Sequence, residues 1–147
     1  MVARLKTLFD EIDAVFRSPF LAMGGDEVSF DQLADLPEIT AALKATNMTG
    51  VMDLYREFIA EMQRYAVAKN KTLRVWEGFA SADGQQGHKP ANRSSVTIPT
   101  EGISVAVFDG VYYPPTRLAA DGCEDLNGAS VRPEARVPYT SVCPRWL

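Results

Sequence analysis

The spacing of apolar residues predicts two long amphipathic helices. Apolar side chains recur every three or four positions across residues 5–16 and 51–69, with charged residues between them, and this period places them on one helix face. The first helix is predicted to end before Pro19, because the residue preceding a proline resists helical geometry, and Asn70 is the predicted end of the second. The predicted buried faces are Leu5, Leu8, Phe9, Ile12, Val15 and Phe16 in the first helix, and Val51, Leu54, Tyr55, Phe58, Ile59, Met62 and Tyr65 in the second.

Short apolar runs that end in turn residues predict strands between the helices. Four such runs lie at residues 20–23, 73–76, 103–108 and, more weakly, 124–127. Further helices are predicted to begin near Asp35, with Pro37 in the first turn, and to cover residues 116–120. Residues 81–95 are rich in Gly, Gln, Asn and Ser, which predicts a long surface loop. The alternation of helices and strands favours an α/β fold with parallel strands joined by right-handed crossovers.

Composition and charge narrow the range of partners. The chain has 147 residues and a net charge of -4, which favours one domain at most and argues against nucleic acid, since phosphate binding needs concentrated Lys and Arg. No apolar stretch approaches the ~20 residues that cross a bilayer, and residues 1–6 lead into an amphipathic segment rather than an apolar signal core. We therefore expect neither a membrane span nor a signal peptide within the chain, and the compartment stays open.

The cysteines and the histidine carry no predicted chemistry. Cys123 and Cys143 fit no metal-binding spacing, and whether they form a disulfide is left open. His88, the one histidine, lies in the polar loop and is expected to be exposed. The sequence therefore predicts no metal site and no cofactor.

A pair of adjacent carboxylates follows the first predicted strand. Gly24 and Gly25 precede Asp26 and Glu27, and ligands in α/β proteins bind beyond the carboxyl ends of parallel strands. The glycines allow a tight turn, whereas two neighbouring carboxylates repel and are costly to desolvate without partners. From spacing alone two interpretations stay open: a functional acid pair, or a capping Asp with a solvated Glu beside it.

Four segments in order resemble glycoside hydrolase family 20. Residues 19–28 resemble its His-x-Gly-Gly-Asp-Glu signature, and residues 73–79, 105–115 and 121–127 are similar to the following strands of that family. The resemblance spans about residues 5–130. It implies a β-N-acetylhexosaminidase that hydrolyses terminal N-acetyl-β-hexosamine residues, with N-acetylhexosamine-containing glycans as the partners.

The same resemblance implies a partial TIM barrel. The family fold is a (β/α)₈ barrel of ~250 residues, so residues 1–130 are expected to hold roughly strands four to seven with their helices. Residues 131–147 are expected to form an irregular tail in which the family pattern is lost. Because an incomplete barrel exposes strand edges, we expect the remaining strands or a homo-oligomer to be needed for stability.

The resemblance assigns the acid pair its roles. The family mechanism is retaining and substrate-assisted, an exception to the two-carboxylate scheme, in which the sugar's own acetamido oxygen attacks the anomeric carbon. Glu27 would be the general acid and base, which requires a pKa near the working pH. Asp26 would orient the acetamido group and stabilise the positive charge of the oxazolinium-like intermediate.

The remaining site residues also come from the resemblance. Trp76 would wall the sugar pocket, Glu77 would bond a sugar hydroxyl, and Tyr113, or Tyr112 if the alignment slips by one, would donate to the acetamido oxygen. Each has a plainer alternative. Trp76 could belong to the core, Glu77 could be a solvated charge at a strand end, and the tyrosines could pack a loop.

Two departures from the family keep other functions open. Ala22 stands where the family commonly has histidine, and after Asn127 the chain continues through residues 128–131 without the expected tryptophan. One alternative is an inactive or truncated glycoside-binding remnant. Another is a nucleotide cyclase-like Gly-Gly-Asp-Glu protein, which would carry the motif on a β-hairpin.

Overall fold

The described part of the chain contains most of the predicted elements. The computed structural model describes residues 2–26, 28, 30–77, 96–107, 115–120, 122 and 124–127. Several predictions lie outside these residues, namely those for Glu27, the loop 81–95 with His88, Tyr112, Tyr113, Cys123, Cys143 and the tail 131–147.

The described residues contain five helices and four strands. The helices are α1 (Val2–Val15), α2 (Phe30–Ala34), α3 (Pro37–Thr46), α4 (Val51–Ala68) and α5 (Pro115–Ala120). The strands are β1 (Phe20–Gly24), β2 (Thr72–Trp76), β3 (Ile103–Val107) and β4 (Glu124–Asn127). Only α2 was not predicted. None of the described helices is long and apolar enough to span a membrane.

The start of α3 and the end of α4 have backbone conformations typical of helix ends. α3 begins with Pro37, and its cap residue is the extended Leu36, one position after the predicted cap at Asp35. Pro suits the first turn because its fixed φ matches the helix. Asn70, the predicted stop of α4, adopts a left-handed φ of 58°, a conformation that asparagine tolerates better than most residues.

The four strands form one parallel sheet in sequence order. β1 pairs with β2, β2 with β3 and β3 with β4, all in parallel. Each pair is joined by a crossover that contains a helix or, between β2 and β3, residues outside those described. The prediction of parallel strands is confirmed, and their carboxyl ends therefore lie along one edge of the sheet.

The core fills the space between the sheet and its helices. Side chains alternate between the two faces of a strand, and the helix-facing side chains Leu21, Leu73, Val75, Ile103, Val105 and Val107 are buried. They pack with Phe9, Met52, Ile59, Met62, Ala66, Ile98 and Leu118. On the opposite face, Ala22 of β1 and Trp76 of β2 are exposed. That face is where the interior of a barrel would lie.

Helix α4 buries a wider face than the predicted one, which adds polar residues to the predicted apolar positions. Ile59 and Met62 are buried as expected, but Asp53, Arg56 and Gln63 are buried beside them. Polar groups are tolerated in such places only when they are hydrogen-bonded. The apolar period located the helix correctly, but it did not show that three polar residues share the buried side.

Helix α1 leaves much of its predicted apolar face in solvent. Phe9 is its buried residue, whereas Leu8, Ile12, Val15 and Phe16 are exposed. Phe9 joins the core, with Leu5 packed against it. Ion pairs also connect the helix to α4 and the residues after it, including Lys6–Glu61 at 2.7 Å, Lys69–Asp10 at 2.5 Å and Lys71–Asp13 at 2.5 Å. The prediction that the whole stripe is buried was wrong for these four residues.

We expect Ile59→Ala to lower the free energy of unfolding by about 2–5 kcal/mol, because it leaves a cavity in close-packed surroundings. Ile59 is 0% exposed at the centre of the core. The matched control is Val67→Ala on the same helix, since Val67 is 43% exposed and surface changes usually stay within about 0.5 kcal/mol. Urea denaturation followed by circular dichroism measures both; equal losses would contradict the assigned core.

Candidate active site

Polar and aromatic residues follow the ends of two neighbouring parallel strands. β1 ends at Gly24 and is followed by Asp26, while β2 ends at Trp76 and is followed by Glu77. Because β1 and β2 pair in parallel, these residues lie at the same edge of the sheet. The structure therefore brings together three of the residues selected from the sequence, Asp26, Trp76 and Glu77, at the edge where α/β proteins bind ligands.

The loop that carries Asp26 has a backbone that favours glycine. Gly24 and Gly25 have φ values of +78° and +97°, which side chains rarely tolerate. The pairing of β1 with β2 shifts register between Ala22 and Gly24, and irregularities of this kind re-aim the residues that follow. Asp26 is exposed, so its carboxylate is accessible to a ligand.

Tyr55 of α4 reaches this loop. Its hydroxyl donates a hydrogen bond to the backbone oxygen of Gly25, and its ring meets Phe30 of α2 edge to face, with 5.5 Å between the centroids. Burial, and then the negative charge of Asp26, raise the pKa of the Tyr55 phenol from 10.0 to about 12. The apolar period predicts Tyr55 only as one of the buried positions of α4, and no signal in the sequence indicates this contact.

Trp76 and Glu77 differ in their exposure to solvent. Trp76 is 37% exposed on the sheet face that points away from the helices, so it does not belong to the core between sheet and helices. Glu77 is fully buried, and its backbone N–H donates to the oxygen of Ala106 at 2.9 Å. The plainer interpretation of Glu77 as a solvated strand-end charge is therefore wrong.

The buried polar residues of α4 form hydrogen bonds with the segment that leads into β3 and with the residues just before α4. Arg56 Nε donates to the oxygen of Val96 at 2.7 Å, and Gln63 Nε2 donates to the oxygen of Glu101 at 2.5 Å. Asp53 accepts from the backbone N–H and the hydroxyl of Thr49, at 3.0 and 2.7 Å. Their spacing of three and seven residues along α4 was the one signal in the sequence that they share a face.

One of the alternative functions is contradicted by the topology of the strand that precedes the acid pair. A nucleotide cyclase-like protein would carry Gly-Gly-Asp-Glu on a β-hairpin, but β1 pairs in parallel with β2 and is followed along the chain by α2, which contradicts that alternative. Within the described ranges, no group of three or more His, Cys, Asp or Glu side chains could hold a metal ion.

Comparison with a family of known proteins gives this edge of the sheet a context. Residues 1–110 match the model of the glycosyl hydrolase family 20 catalytic domain, which covers the acid-pair motif and the first three strands. The chain belongs to glycoside hydrolase family 20.

Individual relatives agree with this assignment. The lacto-N-biosidase of Bifidobacterium bifidum is 30% identical over 126 residues, which are 83% of this chain and 10% of that protein. The chain thus spans about a tenth of the length of this curated relative.

Two solved structures resemble the fold. A β-N-acetylhexosaminidase from Bacteroides fragilis matches with a TM-score of 0.66 at 15% identity, over 87% of this chain and 24% of that one. An exo β-N-acetylglucosaminidase from Vibrio harveyi, solved with N-acetylglucosamine, matches with a TM-score of 0.59 at 17% identity, over 84% and 17% of the two chains. At these identities the likeness shows the fold alone.

Proposed function

We propose that this chain contributes to the hydrolysis of terminal non-reducing N-acetyl-β-hexosamine residues by a retaining, substrate-assisted mechanism, at least within a complete catalytic domain. The observation that carries the proposal is the position of the family's acid-pair motif. Asp26 is exposed beyond the end of β1, and the exposed Trp76 ends β2, the strand that pairs with β1 in parallel. This is the edge at which family 20 would bind its sugar.

The proposal includes a place within the barrel. Residues 1–130 would supply strands four to seven of the (β/α)₈ barrel, with β1 as the fourth strand. The sequential parallel order of the four strands supports it. So does the exposure of Ala22 and Trp76 on the face away from the helices, since a closed barrel would cover that part of the sheet.

The acid pair would divide the chemistry between two carboxylates. The acetamido oxygen of the sugar attacks the anomeric carbon while the bond to the leaving oxygen breaks, and Glu27 gives that oxygen its proton. Glu27 then removes a proton from the water that opens the oxazolinium ring. Asp26 stays ionised, accepts the acetamido N–H and balances the positive charge; its exposure leaves it accessible to the sugar.

The residues on the neighbouring strands would grip the sugar. Trp76 offers a partly exposed indole whose flat face suits the C–H groups of a sugar or the N-acetyl methyl. The family resemblance gives Glu77 a bond to a sugar hydroxyl; because Glu77 is fully buried, that bond would require the side chain to become accessible when the sugar binds. Tyr113, or Tyr112, would donate to the acetamido oxygen that becomes the nucleophile.

A complete catalytic domain that contains this chain is expected to release nitrophenol from 4-nitrophenyl N-acetyl-β-glucosaminide, and to act on the corresponding β-glucoside at least ~10³-fold more slowly. The glucoside has no acetamido group, so the intramolecular nucleophile and its high effective concentration are lost. The N-acetyl-β-galactosaminide is assayed in parallel, because the sequence does not choose between the two sugars. Nitrophenol absorbance measures all three rates.

The outcomes separate the proposal from its alternative. Equal rates on the acetamido sugar and the plain glucoside would contradict substrate assistance. Binding of N-acetylglucosamine without hydrolysis of any substrate would contradict an enzymatic role for this chain and favour the glycoside-binding remnant, to which the absence of histidine at Ala22 already points.

A further inference from the structure

Tyr55 makes a contact that the proposed mechanism does not use. It lies on α4, thirty residues along the chain from Gly25, and its hydroxyl donates to the Gly25 carbonyl oxygen. Asp26 is the next residue, so the peptide that Tyr55 holds is the one that leads directly into the acid pair.

The loop before Asp26 needs a contact that fixes its backbone conformation. Two consecutive glycines at φ of +78° and +97° have a wider choice of backbone conformations than any other residue pair, and holding them in one conformation has the corresponding entropic cost. A carboxylate displaced by about 1 Å can lose roughly 10²-fold in rate. The two glycines before Asp26 therefore require an external contact to fix the direction of the carboxylate.

Tyr55 is itself well fixed. It projects from an 18-residue helix whose Ile59 and Met62 are fully buried, and Phe30 packs against the edge of its ring. The fit to the loop is close, because a Cβ placed on Gly25 would lie 2.7 Å from the Tyr55 hydroxyl oxygen. A side chain larger than hydrogen at residue 25 would therefore collide with the group that holds the loop.

The phenol stays a donor at every pH at which a glycosidase works. Burial and the charge of Asp26 raise the pKa of Tyr55 to about 12. The folded state thus holds this proton more tightly than the unfolded chain does. The stability that comes from the neutral phenol is complete below pH 10, the ordinary value, and is lost as the pH rises through about 12.

We propose that Tyr55 is a positioning residue of the active site: by holding the Gly25 carbonyl from α4, its hydroxyl sets the orientation of Asp26 toward the acetamido group. This inference rests on the proposed function. It extends that function to a helix residue that does not touch the sugar and acts only through the backbone of the acid-pair loop.

The test compares Tyr55→Phe with Tyr65→Phe. Both remove one hydrogen-bonded hydroxyl from α4: that of Tyr55 donates to the Gly25 oxygen, and that of Tyr65 lies 2.6 Å from Asp10 Oδ1 and 2.9 Å from the Lys6 oxygen. Tyr65 faces α1 and is remote from the acid-pair loop. Tyr55→Phe is expected to lower kcat about 10- to 100-fold with KM within about twofold, while Tyr65→Phe changes kcat less than about twofold.

A structural measurement makes the inference testable without catalysis. In Tyr55→Phe, the ¹⁵N order parameters of the Gly25 and Asp26 amides are expected to fall from about 0.85 toward 0.6, whereas they stay unchanged in Tyr65→Phe. Unchanged order parameters in Tyr55→Phe would overturn the inference and leave the proposed function intact. A drop in order parameters in a chain that hydrolyses no N-acetylhexosaminide would overturn both the proposed function and the positioning role.

A double-mutant cycle tests directly whether the Tyr55 hydroxyl and the loop interact. Gly25→Ala brings its Cβ against the Tyr55 hydroxyl, so its effect on kcat is expected to be smaller when it is combined with Tyr55→Phe than when it is made alone. Strictly additive effects of the two changes would mean that the hydroxyl and the loop do not interact, which would overturn the inference.

Discussion

Glu27→Gln is expected to reduce kcat/KM by about 10²- to 10⁴-fold on an N-acetyl-β-hexosaminide with a poor leaving group, such as a second sugar. Glutamine keeps the shape of the side chain but has no acidic proton to give the departing oxygen. A nitrophenolate leaves with little protonation, so formation of the intermediate should suffer far less on a nitrophenyl substrate. The dependence on the leaving group thus distinguishes a general acid from a residue that only binds.

The control for this variant is Glu38→Gln, the same chemical change at an exposed residue in the first turn of α3. It should leave the rates on both classes of substrate within about twofold. An equal loss for Glu27→Gln on poor and good leaving groups would remove Glu27 from the proton-donor role. Unchanged rates on both would remove it from the mechanism.

Asp26→Asn is the second variant with a large expected effect, a loss of about 10²- to 10³-fold in kcat, by analogy with the removal of one preorganised electrostatic partner. Asparagine can still accept the acetamido N–H, but it carries no charge to balance the oxazolinium-like intermediate. Asp35→Asn is the matched control, because Asp35 is exposed between α2 and α3. Rates are measured on the nitrophenyl N-acetyl-β-hexosaminides.

The same variant also reports on the geometry of the loop. The charge of Asp26 is one cause of the raised pKa of Tyr55, so Asp26→Asn should move that pKa down from about 12, while Asp35→Asn should not. Ultraviolet difference spectroscopy of the phenolate follows the titration. If Asp26→Asn left both the Tyr55 titration and kcat unchanged, the assigned position and the assigned role of Asp26 would both be wrong.

Local pattern was enough to predict the elements and their order. The two long helices could be predicted from the 3.6-residue period, and the strands and the start of α3 from short apolar runs, turn residues and a proline, because these signals act within a few residues. The alternation of helices and strands favours a parallel sheet, so the common edge that carries Asp26 and Trp76 was also predictable. The motif before Val28 pointed to the family whose catalytic domain the chain matches.

The faces that become buried were less predictable. Helix α4 buries Asp53, Arg56 and Gln63 because Arg56 and Gln63 find hydrogen-bond partners 40 and 38 residues away along the chain. Helix α1 exposes Val15 and Phe16, which the apolar stripe alone placed inside. A periodic pattern shows which face of a helix is apolar, but contacts with distant parts of the chain decide which residues become buried.

By itself, then, the amino-acid sequence determined the type and order of the elements and the acid-pair motif beyond β1, since these depend on interactions between near neighbours. The parallel sheet pairs residues as far apart as Phe20 and Thr72, and it was predictable only through the alternation of helices and strands. Only the tertiary structure decided that Glu77 is buried, that Trp76 stays partly exposed and that Tyr55 holds the Gly25 carbonyl. Those features arise where segments far apart in sequence meet, and a hydrogen bond across thirty residues leaves no periodic trace in the residues that make it.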